Sequence, residues 1–262
     1  MKLDLSGRLA LVGGATSGIG WAVAKTFAQA GACVVIVARS ENRLKARLEE
    51  LRAISDAQHE AIMANYDNPN SISALIETLR EKAIVPDIIV NNAGGPPPGA
   101  LTEAERDEFH RALDRLIVAS HQLVQYALPR MKAERWGRIL SVISTSVRQP
   151  IEGLGVSNTV RAATAAWAKT LSMELAPYGI TVNSILPGAT RTERLEQIIA
   201  ARAAARGIEQ RIVEEEMLRE IPLHRFAEPE EIAALALFLS SEMAGYITGE
   251  CIRVDGGRTR CL

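Results

Sequence analysis

The stretch that most restricts the fold lies near the start of the chain. Leu9-Ala10-Leu11-Val12 is a short apolar run without alternation, the pattern of a strand buried on both faces. It leads directly into Gly13-Gly14-Ala15-Thr16-Ser17-Gly18-Ile19-Gly20, and residues Trp21 to Ala30 then carry a helical pattern closed by Gly31. Strand, glycine-rich turn and helix in this order let backbone approach a phosphate closely, while the first helical turn aims N–H groups and a positive dipole end at it. The spacing is Gly14-x-x-x-Gly18-x-Gly20, not the common Gly-x-Gly-x-x-Gly. A turn kept for packing alone has the same composition, so the rest of the chain must decide between the two.

Beyond Gly31, strand and helix signals alternate to the end of the chain. Cys33–Val37 is a second buried strand, and Arg43–Ala53 an exposed helix of mixed charge. Glu60–Ala64 is a weak third strand, and Ser71–Lys82 an amphipathic helix. Asp87–Val90 is a fourth strand that runs into Asn91-Asn92-Ala93-Gly94-Gly95, and Pro96-Pro97-Pro98-Gly99 is a stiff loop with few donors. Thr102 with Glu105 has the capping-box spacing, and helix is expected from there to about Arg135, with a break and with Pro129 inside it. Arg138–Ile143 is a fifth strand ending at Ser144, and an Ala-rich helix is expected over Asn158–Leu175. Thr181–Ile185 is a sixth strand stopped by Pro187-Gly188, Glu230–Leu239 a short apolar helix, and Cys251–Val254 a last strand. The charged, helix-favouring stretch Thr190–Leu218 is expected to form one or two helices over a site, within a lid at about 189–222. The expected fold is therefore α/β: a doubly wound, mainly parallel seven-stranded sheet flanked by helices, Rossmann-type, in one domain spanning 1–262.

Composition narrows the function classes. Thirty Lys and Arg against 31 Asp and Glu leave a net charge of −1, which gives no reason to expect nucleic acid or an anionic membrane as partner. No apolar run approaches a membrane span, and the first residues have no signal-peptide shape. Cys33, Cys251 and Cys261 have spacings that fit neither a disulfide framework nor a metal site, so reduced thiols in a cytoplasmic protein, without a metal, are expected. At the end of the second strand, where a carboxylate would grip the ribose hydroxyls of NAD, the chain has Ala38-Arg39. A guanidinium there pairs with a 2′-phosphate, so NADP(H) is expected in preference to NAD(H).

Five motifs in order resemble the classical short-chain dehydrogenase/reductase family, over nearly the whole chain. They are Gly14-x-x-x-Gly18-Ile19-Gly20, Asn91-Asn92-Ala93-Gly94, Asn183-x-x-x-Pro187-Gly188, Ile221-Pro222-Leu223-x-Arg225-Phe226 with Pro229-Glu230-Glu231, and Ile247-Thr248-Gly249 with Val254-Asp255-Gly256-Gly257. Within that family the chain is most similar to the 3-oxoacyl-acyl-carrier-protein reductases. The resemblance implies a nicotinamide cofactor held by Gly14, Ser17, Gly18, Ile19, Gly20, Arg39, Asn65, Asn91, Ala93, Gly94, Arg161, Pro187, Gly188 and Thr192. Thr192 would lie near the carboxamide, and a homotetramer or homodimer would be usual.

The family's catalytic set is Asn, Ser, Tyr and Lys, and this chain departs from it. Ser144 matches the serine, but the tyrosine position falls on Ser157, the lysine position on Arg161, and the asparagine position on Leu116. Gly13 replaces the usual Thr of the turn, and Asn65 the usual Asp. The remaining tyrosines, Tyr66, Tyr126, Tyr178 and Tyr246, lie elsewhere in the pattern. A serine hydroxyl is shorter by a ring and is not brought near neutrality by a cation as a tyrosine is. An arginine holds its proton but can bind an oxyanion or ribose with its fork of donors. Arg148, Glu152 and His224 are further pocket candidates, each equally at home as a solvated loop group.

Three readings are compatible with these residues. The first is an NADP(H)-dependent oxidoreductase acting on a small carbonyl or acyl substrate, 3-oxoacyl-like or another ketone, with Ser144, Ser157 and Arg161 carrying an altered mechanism. The alternative is a catalytically inactive NADP-binding sensor or structural partner of an active paralogue. The third is a fold that keeps its glycines for packing and binds another ligand or none.

Overall fold

The computed structural model describes residues 3–261. Seven strands form one parallel sheet: β1 (Leu9–Gly13), β2 (Cys33–Ala38), β3 (Glu60–Met63), β4 (Ile88–Asn91), β5 (Gly137–Val142), β6 (Ile180–Pro187) and β7 (Cys251–Val254), in the order β3-β2-β1-β4-β5-β6-β7. The expected doubly wound, single-domain α/β architecture is thus observed, with every pair parallel. Strand order reverses between β1 and β4, which opens a crevice at the strands' carboxyl ends.

Both faces of the sheet are covered, which is why the strands carry continuous apolar runs. Ala10, Val12, Val34 and Ile36 point to one face and pack with α1 (Gly18–Gln29), α2 (Glu41–Ile54) and α9 (Pro229–Ser240). Leu11, Val35 and Val37 point to the other, toward α3 (Pro69–Glu81) and α5 (Ala119–Glu134), and Ile89, Ile139 and Val182 meet α5 and α6 (Gly155–Leu175). The N-terminal half of α1 faces the crevice, so its seat matters to the site. Phe27, fully buried, anchors it with Val23 and Ala24 in the same cluster as Ile232, Ala233 and Ala236 of α9, whose small side chains let the helices lie close.

The departures from expectation have local causes. β3 is not among them: it lies where expected, within one residue, as an edge strand paired with β2 whose half-exposed residues dilute the apolar signal. Thr102 lies in a short 3₁₀ turn, Leu101–Glu103, rather than capping a helix; α4 (Arg106–Leu113) starts later, with the Glu108 carboxylate accepting from the Glu105 N–H at 2.9 Å. The break in the long helical stretch is a π turn at Asp114–Val118, and α5 continues through Pro129. α6 begins at Gly155, three residues earlier than expected, which places Ser157 and Arg161 one turn apart on its first two turns. The charged stretch is two helices, α7 (Glu193–Arg206) and α8 (Gln210–Arg219), with a small core of their own built from Leu195, Ile199, Ala203, Val213, Ile221 and Phe226. The thiols of Cys33, Cys251 and Cys261 are free. Among the described residues, no helix is long and apolar enough to cross a membrane.

Replacing Phe27 by Ala removes the anchor of α1 and should cost about 3–5 kcal/mol of unfolding free energy in urea titration. A loss under about 1 kcal/mol would show that α1 is held elsewhere.

Candidate functional site

A cleft of about 1240 Å³ runs along the carboxyl ends of the strands. At one end it is floored by the glycine turn. Gly14 and Gly18 have φ of +59° and +52°, which favours glycine. A Cβ on Gly20 would lie 2.6 Å from the Asn92 amide nitrogen, and that amide donates to Gly13 O at 3.0 Å. Ser17 precedes the first turn of α1, and its side chain makes no capping bond, so the helix's first N–H groups face the cleft uncapped by it. Gly13 also has a structural reason: a Cβ there would lie 2.8 Å from the Tyr66 hydroxyl. Tyr66 is buried beneath the turn, and burial pushes its phenol pKa up.

Next to the turn stand Arg39 and Asn65, both on the cleft surface. Arg43, in the first turn of α2, joins them and pairs with Glu193 of α7 at 3.3 Å. Sequence reasoning missed Arg43. Its place in the first turn after the second strand was the available signal, obscured by the other charges of that helix.

The middle of the cleft is the segment Asn92–Gly95. Asn91 does not line it: the residue is buried in β4, and neither atom of its amide has a hydrogen-bond partner. Leu116, at the expected asparagine position, is buried against Ala112, Val156 and Val160. Its neighbour Arg115 reaches the cleft instead. The π turn carries one residue more than an α turn and so changes which side chain faces inward. Arg115 pairs with Asp67 and donates to Gly94 O and Gly95 O at 3.0 and 3.1 Å.

At the far end, Ser144, Ser157 and Arg161 converge as the sequence implied. Ser144 opens a short 3₁₀ turn after β5, and its Oγ accepts from Ser146 N at 3.1 Å. Arg161 Nε donates to Ser157 Oγ at 3.1 Å, and its Nη1 donates to Ile143 O at 2.5 Å. Among the described residues no carboxylate pairs with Arg161. Burial, together with the charges of Arg194 and Arg115, pulls its pKa down to about 10, which still leaves it charged at neutral pH. Pro187, Gly188 and Thr192 close the cleft from above, and Thr192 Oγ1 caps α7 by accepting from Leu195 N at 3.3 Å. Ala93 and Ile19 complete the expected set on the cleft surface, and Glu152 lies on its rim. Arg148 and His224 are not on that surface.

A family model described as enoyl-(acyl carrier protein) reductase matches residues 14–259. The chain belongs to the classical short-chain dehydrogenase/reductase family. Among curated relatives of this dehydrogenase/reductase, the 3-oxoacyl-[acyl-carrier-protein] reductase of Aquifex aeolicus is 33% identical over 257 residues, covering 98% of this chain and 99% of the relative. The NADPH-dependent reductase BacG of Bacillus subtilis is 28% identical over 98% of this chain and 100% of its own. Among solved structures, the L-sorbose reductase of Gluconobacter frateurii complexed with NADPH and L-sorbose superposes with a TM-score of 0.93 at 31% identity, covering 100% of both chains.

Arg161 is recessed beside two other guanidiniums and has no acid partner, so it should add little to the stability of the protein alone. Arg161→Met is expected to change unfolding free energy by less than about 1 kcal/mol, because the lost bonds are offset by relieved repulsion and desolvation. A loss above about 3 kcal/mol would mark it as a structural residue.

Proposed function

We propose that this dehydrogenase/reductase is an NADP(H)-dependent reductase of a small carbonyl compound, working through Ser144 and Arg161, with Ser157 and Arg161 standing where the family has a tyrosine and a lysine. The observation that carries this is the Arg161 guanidinium, held by Ser157 Oγ and Ile143 O in the cleft that Ser144 also lines, and without a carboxylate partner among the described residues.

The residues fit the cofactor. Gly14, Gly18 and Gly20 leave room for a pyrophosphate over the first turn of α1, where N–H groups and the helix dipole favour it. Arg39 is exposed and has no ion pair among the described residues, and Arg43 lies in the first turn of α2 on the same cleft surface; together they suit a 2′-phosphate. Asn65 lines the same end. Ala93, Gly94, Pro187, Gly188 and Thr192 surround the place for the nicotinamide half, with Arg161 within reach of its ribose. Asn91 acts from below, as part of β4. Relatives described as NADPH-dependent, and a neighbour solved with NADPH, support the same preference.

NADPH when bound supplies a hydride; the chain supplies position, charge and a proton path. Ser144 Oγ donates to the substrate carbonyl oxygen, and the Arg161 charge stabilises the oxyanion as it forms. Arg161 does not give up its own proton, since a pKa of about 10 keeps it charged at neutral pH. The proton comes from water admitted where a tyrosine ring would stand, relayed past Ser157 to the oxygen at Ser144. Residues at about 189–222 form a lid whose α7 already reaches across to Arg43 and Pro96. We place the protein in the cytoplasm as a homodimer or homotetramer.

One observation favours the second reading, an inactive NADP-binding sensor or structural partner of an active paralogue. Ser157 Oγ is occupied by Arg161, so the hydroxyl at the tyrosine position already has its partner.

Fluorescence titration should show NADPH binding more tightly than NADH, and Arg39→Ala with Arg43→Ala should erase about 10- to 100-fold of that preference. Equal binding of both cofactors to the unaltered protein would remove the assignment. With a carbonyl substrate, Ser144→Ala should lower kcat by about 10²–10³-fold, whereas unchanged turnover would sink its role. Turnover that appears only in Ser157→Tyr with Arg161→Lys would establish the sensor reading instead.

A further inference from the structure

Three arginines from three different elements converge on one short segment. Arg115 of the π turn donates to Gly94 O and Gly95 O. Arg161 of α6 lies so close to Gly95 that a Cβ there would sit 2.8 Å from its Nη2. Arg194 of α7 donates through Nη2 to Pro96 O at 3.0 Å. Only Arg115 has an acid partner, Asp67. Among the described residues, neither Arg161 nor Arg194 is paired with a carboxylate. The nearest lining acids are otherwise engaged or peripheral: Glu193 pairs with Arg43, and Glu152 lies exposed at the rim.

Bringing unpaired guanidiniums together in a recessed place is costly unless an anion completes the set. The cost is visible in both side chains. Burial and neighbouring arginines lower the pKa of Arg161 and of Arg194. The anion that answers this charge has two possible sources, the cofactor's phosphates or the substrate. The phosphates have their own seat over the glycine turn at the start of α1, whereas Arg161 is held at Ile143 O, beside Ser144. The walls next to Arg194 at this end include Ile151, Leu154, Ile198 and Met217, which suit a short carbon chain.

We infer that the substrate is an oxo acid, a ketone carrying its own carboxylate one or two bonds from the carbonyl, and that Arg194, shared with Arg161, receives that carboxylate. This rests on the carbonyl-reductase reading. In an oxo acid the two oxygen functions are neighbours, as the two guanidiniums are. Ser144 and Arg161 then take the ketone oxygen, and Arg194 fixes which way the chain lies. The planar fork of Arg194 suits a carboxylate and does not discriminate among the carbon chains that the apolar wall receives.

The test is calorimetric titration of the full chain with 2-oxohexanoate and with its methyl ester, each with and without saturating NADPH. The variant is Arg194→Gln, which keeps a donor for Pro96 O but removes the charge. The acid should bind the unaltered protein about 10- to 100-fold more tightly than the ester, and Arg194→Gln should erase that difference while leaving NADPH affinity unchanged. Equal binding of acid and ester overturns the proposal, as does a variant that retains the preference. A tenfold or greater loss of NADPH affinity in Arg194→Gln, with the acid preference intact, assigns the arginines to the cofactor phosphates and also overturns it. Absence of NADPH binding to the unaltered protein would sink the reductase reading, and the acid-over-ester preference would then be decided by the titrations without cofactor.

Discussion

The cleft depends on how closely two backbone segments approach at the first turn of α1. Gly20 packs against the Gly14 carbonyl and the Asn92 amide, and that amide in turn ties β4 to the end of β1 through Gly13 O. No side chain larger than hydrogen fits at Gly20 without moving backbone, because the nearest atoms belong to the Gly14 peptide, with the Asn92 side-chain amide, tied to Gly13 O, beside it. The contact therefore fixes three things together: the seat of α1, the opening between β1 and β4, and the direction of the first helical N–H groups. A packing requirement of the fold and the geometry of an anion seat are one constraint here. This is also why the glycines alone do not separate a working site from a retained scaffold.

The second constraint is electrostatic. The chain is nearly neutral overall, yet its cleft gathers Arg39, Arg43, Arg115, Arg161 and Arg194. Two of these are balanced by Glu193 and Asp67. The imbalance is thus local and lies where ligands would sit, with compensating acids spent on surface pairs elsewhere, such as Arg225 with Glu231 and Arg206 with Glu216. Surface pairs of that kind contribute little to stability and are tolerant of change. Recessed and unpaired arginines are the opposite case, and stability alone gives no reason to keep them.

Most of the fold was legible in the sequence because strands buried on both faces write themselves as unbroken apolar runs. β7 was located to the residue, and β1 to β5 to within one at each end, the edge strand β3 despite the faint signal its half-exposed residues dictate. Helix starts were less legible. Thr102 offered a capping pattern that a 3₁₀ turn absorbed, and Gly155 began α6 before the first good helix former. At the site, Ser144, Ser157 and Arg161 were brought together by the family resemblance, and all three line the cleft. Arg115 was not accessible to such reasoning, since a π turn leaves no mark in composition yet changes which residue faces the cleft. Arg194 was hidden differently, as one charge among many in a stretch whose helices pack on each other before they reach the cleft.

The exchange of a lysine for Arg161 is not conservative in this setting. A lysine is a compact charge that can lower the pKa of a neighbouring phenol, and its usefulness depends on that phenol being present. With serine at position 157 there is no acid to tune, and a point charge would serve less well than a fork. The guanidinium spans the Ser157 hydroxyl and the Ile143 carbonyl and still presents an edge toward Gly95. On the proposed reading the serine and the arginine act as one change, from a tuned proton donor to a fixed anion-binding edge. Such an edge lowers a barrier only where negative charge develops in a site that excludes bulk water, because there the donors are already oriented and no solvent must reorganise. The hydrogen bond from Arg194 of α7 to Pro96 O spans that same place, so reach across the cleft and charge are supplied by one side chain. On the proposed reading, chemistry at this site is coupled to the position of α7 more tightly than in an arrangement whose proton donor lies wholly on α6.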